Sequence, residues 1–252
     1  MINVSASIPD LKKAINGFKS SYHSHYAHVR AASLAFLAGT SPHVPSGLAD
    51  NLKKALDAYG AGRRGAPRTA DVSQIVKTLI LLRPKLKYLQ DAAASRLNIT
   101  PAGVRTVGGN PHSVPKFDQN LLDTVRGLSD CLTGNTGVTY PMKALMLLTG
   151  ITPAFDSQVK GGMTRGGFGG MAATRFLLPD EASSSAGRKI VVLPFRLTAA
   201  YVSHPTVAAA VGGTPLAAFA GDIGRIFDVL LFVQNERSSP ILVKWVGPGI
   251  WY

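Results

Sequence analysis

The chain has 252 residues, 46% of them hydrophobic and 16% charged, enough to bury a sizeable core as one domain or as two modest lobes sharing a cleft. Its 27 Lys and Arg against 14 Asp and Glu give a formal net charge of +13. That balance points to a polyanionic partner, nucleic acid ahead of an anionic membrane surface, because each phosphate neutralised releases condensed counterions. A single cysteine, Cys131, excludes an internal disulfide and any multi-cysteine zinc or iron–sulfur site within the chain, and fits a reducing cytoplasm. The opening MINVSASIPDLKKAINGF lacks the charged-then-apolar order of a signal peptide, and no run approaches the roughly 18 apolar residues of a membrane span. A soluble, cytoplasmic protein with no membrane partner is therefore expected.

Apolar residues at helical spacing (Leu11, Ala14, Ile15, Phe18, Tyr22, Tyr26, Val29, Ala32) predict a helix from Ile8 to about Leu37, started by Ser7 or Pro9 and closed by Gly39. A second is predicted from Leu48 to Tyr59. The glycine-rich loop from Gly60 to Arg68 carries Arg63, Arg64 and Arg68, which have no way to pack internally and belong in solvent or on a partner. Asp71 reads as the cap of a helix through Leu82, and Pro84 as the opening of another to Leu97. The Gly- and Pro-rich stretch from Thr100 to Pro115 reads as a connection between lobes, followed by a helix from Phe117 to Leu132. After Asp156 comes a second basic, glycine-rich stretch, Lys160 to Gly170. Lys189 to Leu197 and Ile241 to Val246 are strand-like, whereas Leu197 to Gly212 and Leu216 to Gln234 look helical.

The segment from Thr133 to Asp156 carries the functional signal. Gly134-Asn135-Thr136-Gly137 is a small glycine hairpin, Tyr140 to Leu148 an apolar helix, and Pro153-Ala154-Phe155-Asp156 a bend that presents one carboxylate. A tight turn before a helix leaves backbone N–H groups free to meet a phosphate, and glycine removes the side chains that would hold it off. The order of hairpin, helix, apolar bend and aspartate resembles the helix-hairpin-helix DNA glycosylase superfamily over about residues 117–176. The sequence departs from that pattern in three places. The hairpin is one residue longer than the usual form, Ser157-Gln158 replaces a threonine-histidine pair after the acid, and Val138-Thr139-Tyr140 stands where bifunctional members carry a lysine. Lys143 comes a full helical turn later, so a Schiff-base role is not carried onto it and no lyase activity is expected.

The resemblance implies a role for Asp156. Cleaving an N-glycosidic bond develops positive charge on the sugar, which an ionised carboxylate near C1′ stabilises while orienting a water. The competing reading is a helix N-cap. Base flipping needs a pocket and a wedge, for which Tyr140, Phe155, Gln158, Phe168 and Phe176 are candidates, although aromatic residues also serve as plain core. Lys160, Arg165 and Arg175, with Arg63, Arg64 and Arg68, are the candidate phosphate contacts beside Gly134, Asn135, Thr136 and Gly137. Among His23, His25 and His28 only the last two share a helical face, and no carboxylate completes a ligand set, so neither metal nor cofactor is expected. Asp222 and Arg225 read as an i,i+3 ion pair, with Asp228 a further acid on the same helix. No nucleophile elbow, P-loop, dinucleotide fingerprint or two-metal carboxylate cluster is present.

The resulting expectation is a mainly α fold of two helical lobes, residues 1–110 and 111–252, with a central cleft, a helix-hairpin-helix motif in the second lobe and a few short strands in the C-terminal part. The resemblance implies a monomeric, nucleoid-associated, monofunctional DNA glycosylase acting on a flipped-out modified or damaged base. A bulky modified base of phage DNA, met in antiviral defence, is one form of that substrate. The alternative is a noncatalytic helix-hairpin-helix DNA-binding protein, and a third is a protein-interaction scaffold.

Overall fold

A computed structural model describes residues 1–39, 43–45, 47–63, 65–94, 96–134, 137–170, 178–179, 181–247 and 251. Among them the fold is mainly helical. In chain order come β1 (Ile2–Val4), α1 (Ile8–Gly17), α2 (Ser20–Ala38), α3 (Leu48–Ala58), β2 (Arg68–Thr69), α4 (Val72–Ala94), β3 (Leu97–Ile99) and β4 (Arg105–Val107). These are followed by α5 (Val114–Gly127), β5 (Leu132–Thr133), α6 (Thr139–Thr149), α7 (Ser157–Arg165), α8 (Ser185–Ser203), α9 (Pro205–Val211), α10 (Ile223–Gln234) and β6 (Val243–Trp245). No helix among the described residues is long and apolar enough to cross a membrane.

Ser7 starts α1 by accepting from the Asp10 amide, with Pro9 in the first turn. The long helix expected from Ile8 breaks after Gly17, a weak helix former, where Phe18 turns extended (φ −67°, ψ 146°). That turn buries the Phe18 ring edge-on against Phe232, 5.1 Å between centroids. By contrast, α4 runs straight through Pro84, the expected break. Proline removes one bond to the turn before it, but Ile80 and Leu81 are exposed there, so the freed carbonyl falls on the solvent side of the helix while Leu79, Leu82, Leu86 and Leu89 stay packed.

The strand-like run from Lys189 to Leu197 is a helix. It forms the middle of α8, capped by Ser184, whose hydroxyl accepts from the Gly187 amide. Every residue from Lys189 to Leu197 is buried, and an apolar run covered on all sides carries no periodicity to separate strand from helix. The expected strand near Ile241–Val246 is present as β6, paired antiparallel with β1 (Ile2 opposite Trp245). Likewise, the stretch read as a lobe connection holds the β3–β4 hairpin, Leu97 opposite Val107.

The buried apolar side chains form one cluster, from Ile2 to Val243, and α4 packs on α5 across residue 110. At its centre lies α6, whose residues from Tyr140 to Thr149 are all buried. α5 ends at Gly127, short of the expected Leu132. A 3₁₀ turn (Leu128–Cys131) and β5 follow before α6, with β5 paired to β2 (Thr133 opposite Arg68). The link between α5 and α6 is thus longer than a bare turn, and it sits beside the arginine loop.

Two glycines set close approaches that no other residue allows. A Cβ on Gly162 would lie 1.8 Å from the Leu231 carbonyl, so α7 packs backbone to backbone on α10. Gly150, which ends α6 in the left-handed region (φ 65°), lies where a Cβ would be 2.4 Å from that of Asp222.

Candidate functional site

α7 starts at Asp156, and its position is determined by the bend before it. Residues 151–155 are buried irregular backbone whose polar groups need partners. Asp228 Oδ1 accepts from the Ala154 amide at 2.9 Å, and Thr139 Oγ1 donates to the Phe155 carbonyl at 3.2 Å. Asp156 then caps α7, Oδ1 accepting from the Val159 amide at 2.9 Å. The cap reading holds, yet it occupies only one carboxylate oxygen. The other, Oδ2, faces the Lys143 ammonium at 3.4 Å, and the Asp156 side chain remains 17% exposed.

That exposure opens into a cavity of about 620 Å³. Tyr22, Tyr59, Tyr140, Phe18 and Phe232 supply aromatic walls, and Asp156, Gln158, Lys19, Lys143, Lys160, Arg225 and Asp228 the polar lining. Lys143 donates to the Tyr59 carbonyl at 2.9 Å and sits 4.9 Å over the Tyr140 ring. The rings of Tyr22 and Tyr59 meet at a tilt of 53°, 4.5 Å between centroids. Burial pushes the Tyr59 hydroxyl up to about 12 and raises that of Tyr140, whose second cause is the Asp156 carboxylate, so both remain neutral donors near neutral pH. Burial lowers Lys160, with Asp156 opposing.

Arg225 and Asp228 lie deeper. Nη1 of Arg225 donates to Asp228 Oδ2 at 2.6 Å, and its guanidinium lies between the rings of Phe18 (5.0 Å) and Tyr26 (4.9 Å). The expected Asp222–Arg225 pair is therefore replaced by Arg225–Asp228. Asp222 turns away to accept from Tyr26 and Arg30.

Asp228 is pushed up to about 6, mainly by burial, with Arg225 opposing and Asp156 reinforcing. A carboxyl raised in the folded state favours folding while protonated. Its contribution is complete below the unfolded value near ~3.9 and is lost as pH climbs through about 6. The Asp228→Asn variant should thus gain on the wild type by on the order of 2–3 kcal/mol between about pH 4 and pH 7. Urea unfolding of both proteins across that range measures the difference, and a flat difference refutes it.

The rim joins two of the expected phosphate-contact sets. Arg63 and Arg68 are exposed, Gly65 and Ala66 line the cavity mouth, and the β2–β5 pair places this loop beside exposed Gly134 and half-buried Gly137. Gln158 and Tyr140, two of the candidate pocket residues, line the cavity. Several other candidates sit elsewhere. Phe155 is wholly buried and Phe168 is 2% exposed against Trp245, each filling core instead of a base pocket. Arg165 is consumed by the carbonyls of Gln234, Glu236 and Ser239, terminating α10. Lys160, 8% exposed, faces the cavity and not a surface groove. Arg64, Asn135, Thr136, Arg175 and Phe176 lie outside the described residues.

Among the described residues no group of three His, Cys, Asp or Glu could hold a metal ion. Sequence reasoning missed Lys19, Tyr22, Tyr59 and Arg225 as site residues. Helical spacing marks Tyr22 as a core position and Arg225 reads as the partner of Asp222, whereas the break at Phe18 leaves Lys19 as the cap of α2 at the cavity. The chain matches no protein-family model, no curated protein and no solved structure.

Proposed function

We propose that the protein is a monofunctional DNA glycosylase, and the observation that carries this reading is Asp156. One of its oxygens is fixed by a helix cap, and the other faces an aromatic-walled cavity whose mouth is lined by Gly65 and Ala66 of the loop that carries the exposed Arg63 and Arg68. In this reading the glycine hairpin and Arg63 and Arg68 hold phosphates of a nucleotide extruded into the central cleft, where Tyr22, Tyr59 and Tyr140 receive the base. The ionised Asp156 stabilises the cation developing at C1′ and orients a water. Hydroxide equivalent adds to C1′, the C1′–N bond breaks, and the water's remaining proton ends on the departing base. Lys143 acts as an ammonium that positions Asp156. The Tyr59 carbonyl and the carboxylate hold it, so its contacts are those of a positioning group, which accords with hydrolysis.

A cavity of about 620 Å³ lies within the usual range for small-molecule sites and has room for a base with an added substituent, as in modified phage DNA. The noncatalytic DNA-binding reading keeps one supporting observation: the same carboxylate caps α7. Incubating the protein with bacterial DNA and with phage DNAs of known base modification, then separating the supernatant by chromatography, distinguishes the two. A free base together with alkali-labile sites in one substrate is the expected result. Salt-sensitive binding to every DNA with no base released from any would leave only the binding module.

A further inference from the structure

Resting on that reading, we infer that Arg225 selects the base, its Nε–Nη2 edge receiving two adjacent hydrogen-bond acceptors such as the O6 and N7 of a guanine-type base. Two buried arginines provide the contrast. Arg30 uses Nε, Nη1 and Nη2 on Asp222, Leu148 and Gln90. Arg225, 1% exposed, uses Nη1 alone, and its Nε and Nη2 have no hydrogen-bond acceptor among the described residues. Buried donors left this way cost stability, and these two lie on one edge of the guanidinium in a residue that lines the cavity.

Nε–H and Nη2–H point in parallel, so their complement is a planar pair of acceptors, the bidentate geometry by which arginine reads guanine. Adenine offers one acceptor beside a donor, and thymine one acceptor beside a methyl group. A carboxylate or phosphate would also match the fork, but Asp228 and Asp156 line the same cavity and Asp228 already neutralises this guanidinium, which disfavours an anion and suits a neutral base. Cytosine O2 and N3 are also adjacent acceptors, but the O6 and N7 of guanine are the pair that arginine most often reads in this way, and titration with both nucleosides separates the two.

Calorimetric titration of the wild-type protein with deoxyguanosine, 7-deazadeoxyguanosine, deoxyadenosine, deoxycytidine and inorganic phosphate tests this without requiring any bond to break. Deoxyguanosine should bind about tenfold or more tighter than 7-deazadeoxyguanosine, deoxyadenosine and phosphate, and tighter than deoxycytidine. Arg225→Met, the same length without donors, should erase the preference, and the 7-deaza comparison stands even if that variant fails to fold. Equal binding of the 7-deaza nucleoside, tighter binding of deoxycytidine or phosphate, or no nucleoside binding at all overturns the inference. A guanine preference without base release from any DNA would sustain this site while removing the hydrolase reading. Release of a base lacking the paired acceptors would do the reverse.

Discussion

Replacing Asp156 by Asn is expected to slow base release by at least about 10²–10³-fold, the loss typical of removing one group that stabilises transition-state charge, with the fold and DNA affinity unchanged. The geometry separates the residue's two duties. Asparagine caps helices about as well as aspartate, and an Asn side-chain oxygen can keep the bond from the Val159 amide that starts α7. Lys143 would retain the Tyr59 carbonyl and its place over the Tyr140 ring. What disappears is the negative charge beside the developing cation. Asp156→Ala removes charge and cap together and should cost a further ~1 kcal/mol of stability, so thermal unfolding of the pair measures the cap while single-turnover release of base measures the charge. An Asn variant that releases base within tenfold of the wild-type rate would show that the carboxylate is a helix cap and nothing more.

The helical architecture was legible in the sequence wherever a helix is half buried, because its apolar residues then recur every three or four positions. α3 and α5 are of this kind. Legibility failed where burial is complete: the run through Ile190 and Phe195 reads equally as strand or helix, and only packing on all sides distinguishes them. It failed again where one residue's backbone state decides, as at Phe18, which splits the first helix, and at Pro84, which does not split the fourth. The site follows the same division. The cap at Asp156 was readable because the Pro153–Asp156 bend and the helix that follows it are local in the chain. Arg225 and Asp228 were visible only as an acid and a base on a buried helix, since their partners Phe18, Tyr26 and Ala154 are far away in the chain. Charge sequences alone misassigned Arg165, because nothing nearby in the chain reveals the open carbonyls after α10 that it satisfies.

The largest stability effect is expected one layer behind the cavity, at Asp222. Its carboxylate accepts from Tyr26 Oη at 2.7 Å and from Arg30 Nε and Nη2 at 2.8 and 2.7 Å, and the same guanidinium holds the Leu148 carbonyl ending α6. One charge pair thus joins α2, α6 and the start of α10, the helix that carries Arg225 and Asp228. Asp222→Ala would leave Arg30 charged and buried without its carboxylate, a loss of about 3–5 kcal/mol, or roughly 6–20 °C in Tm for a chain of this size. The cost belongs to the stranded charge and not to the missing contact, so removing the cation as well should recover part of it. The double variant Asp222→Ala, Arg30→Met is accordingly expected to be more stable than Asp222→Ala alone, because an apolar side chain in a sealed site carries no desolvation penalty. Urea unfolding of the wild type, both single variants and the double variant closes the cycle. A loss below ~1 kcal/mol for Asp222→Ala, the scale of an exposed pair, would mean that water reaches Arg30 and that this pair does not hold α10 against α6.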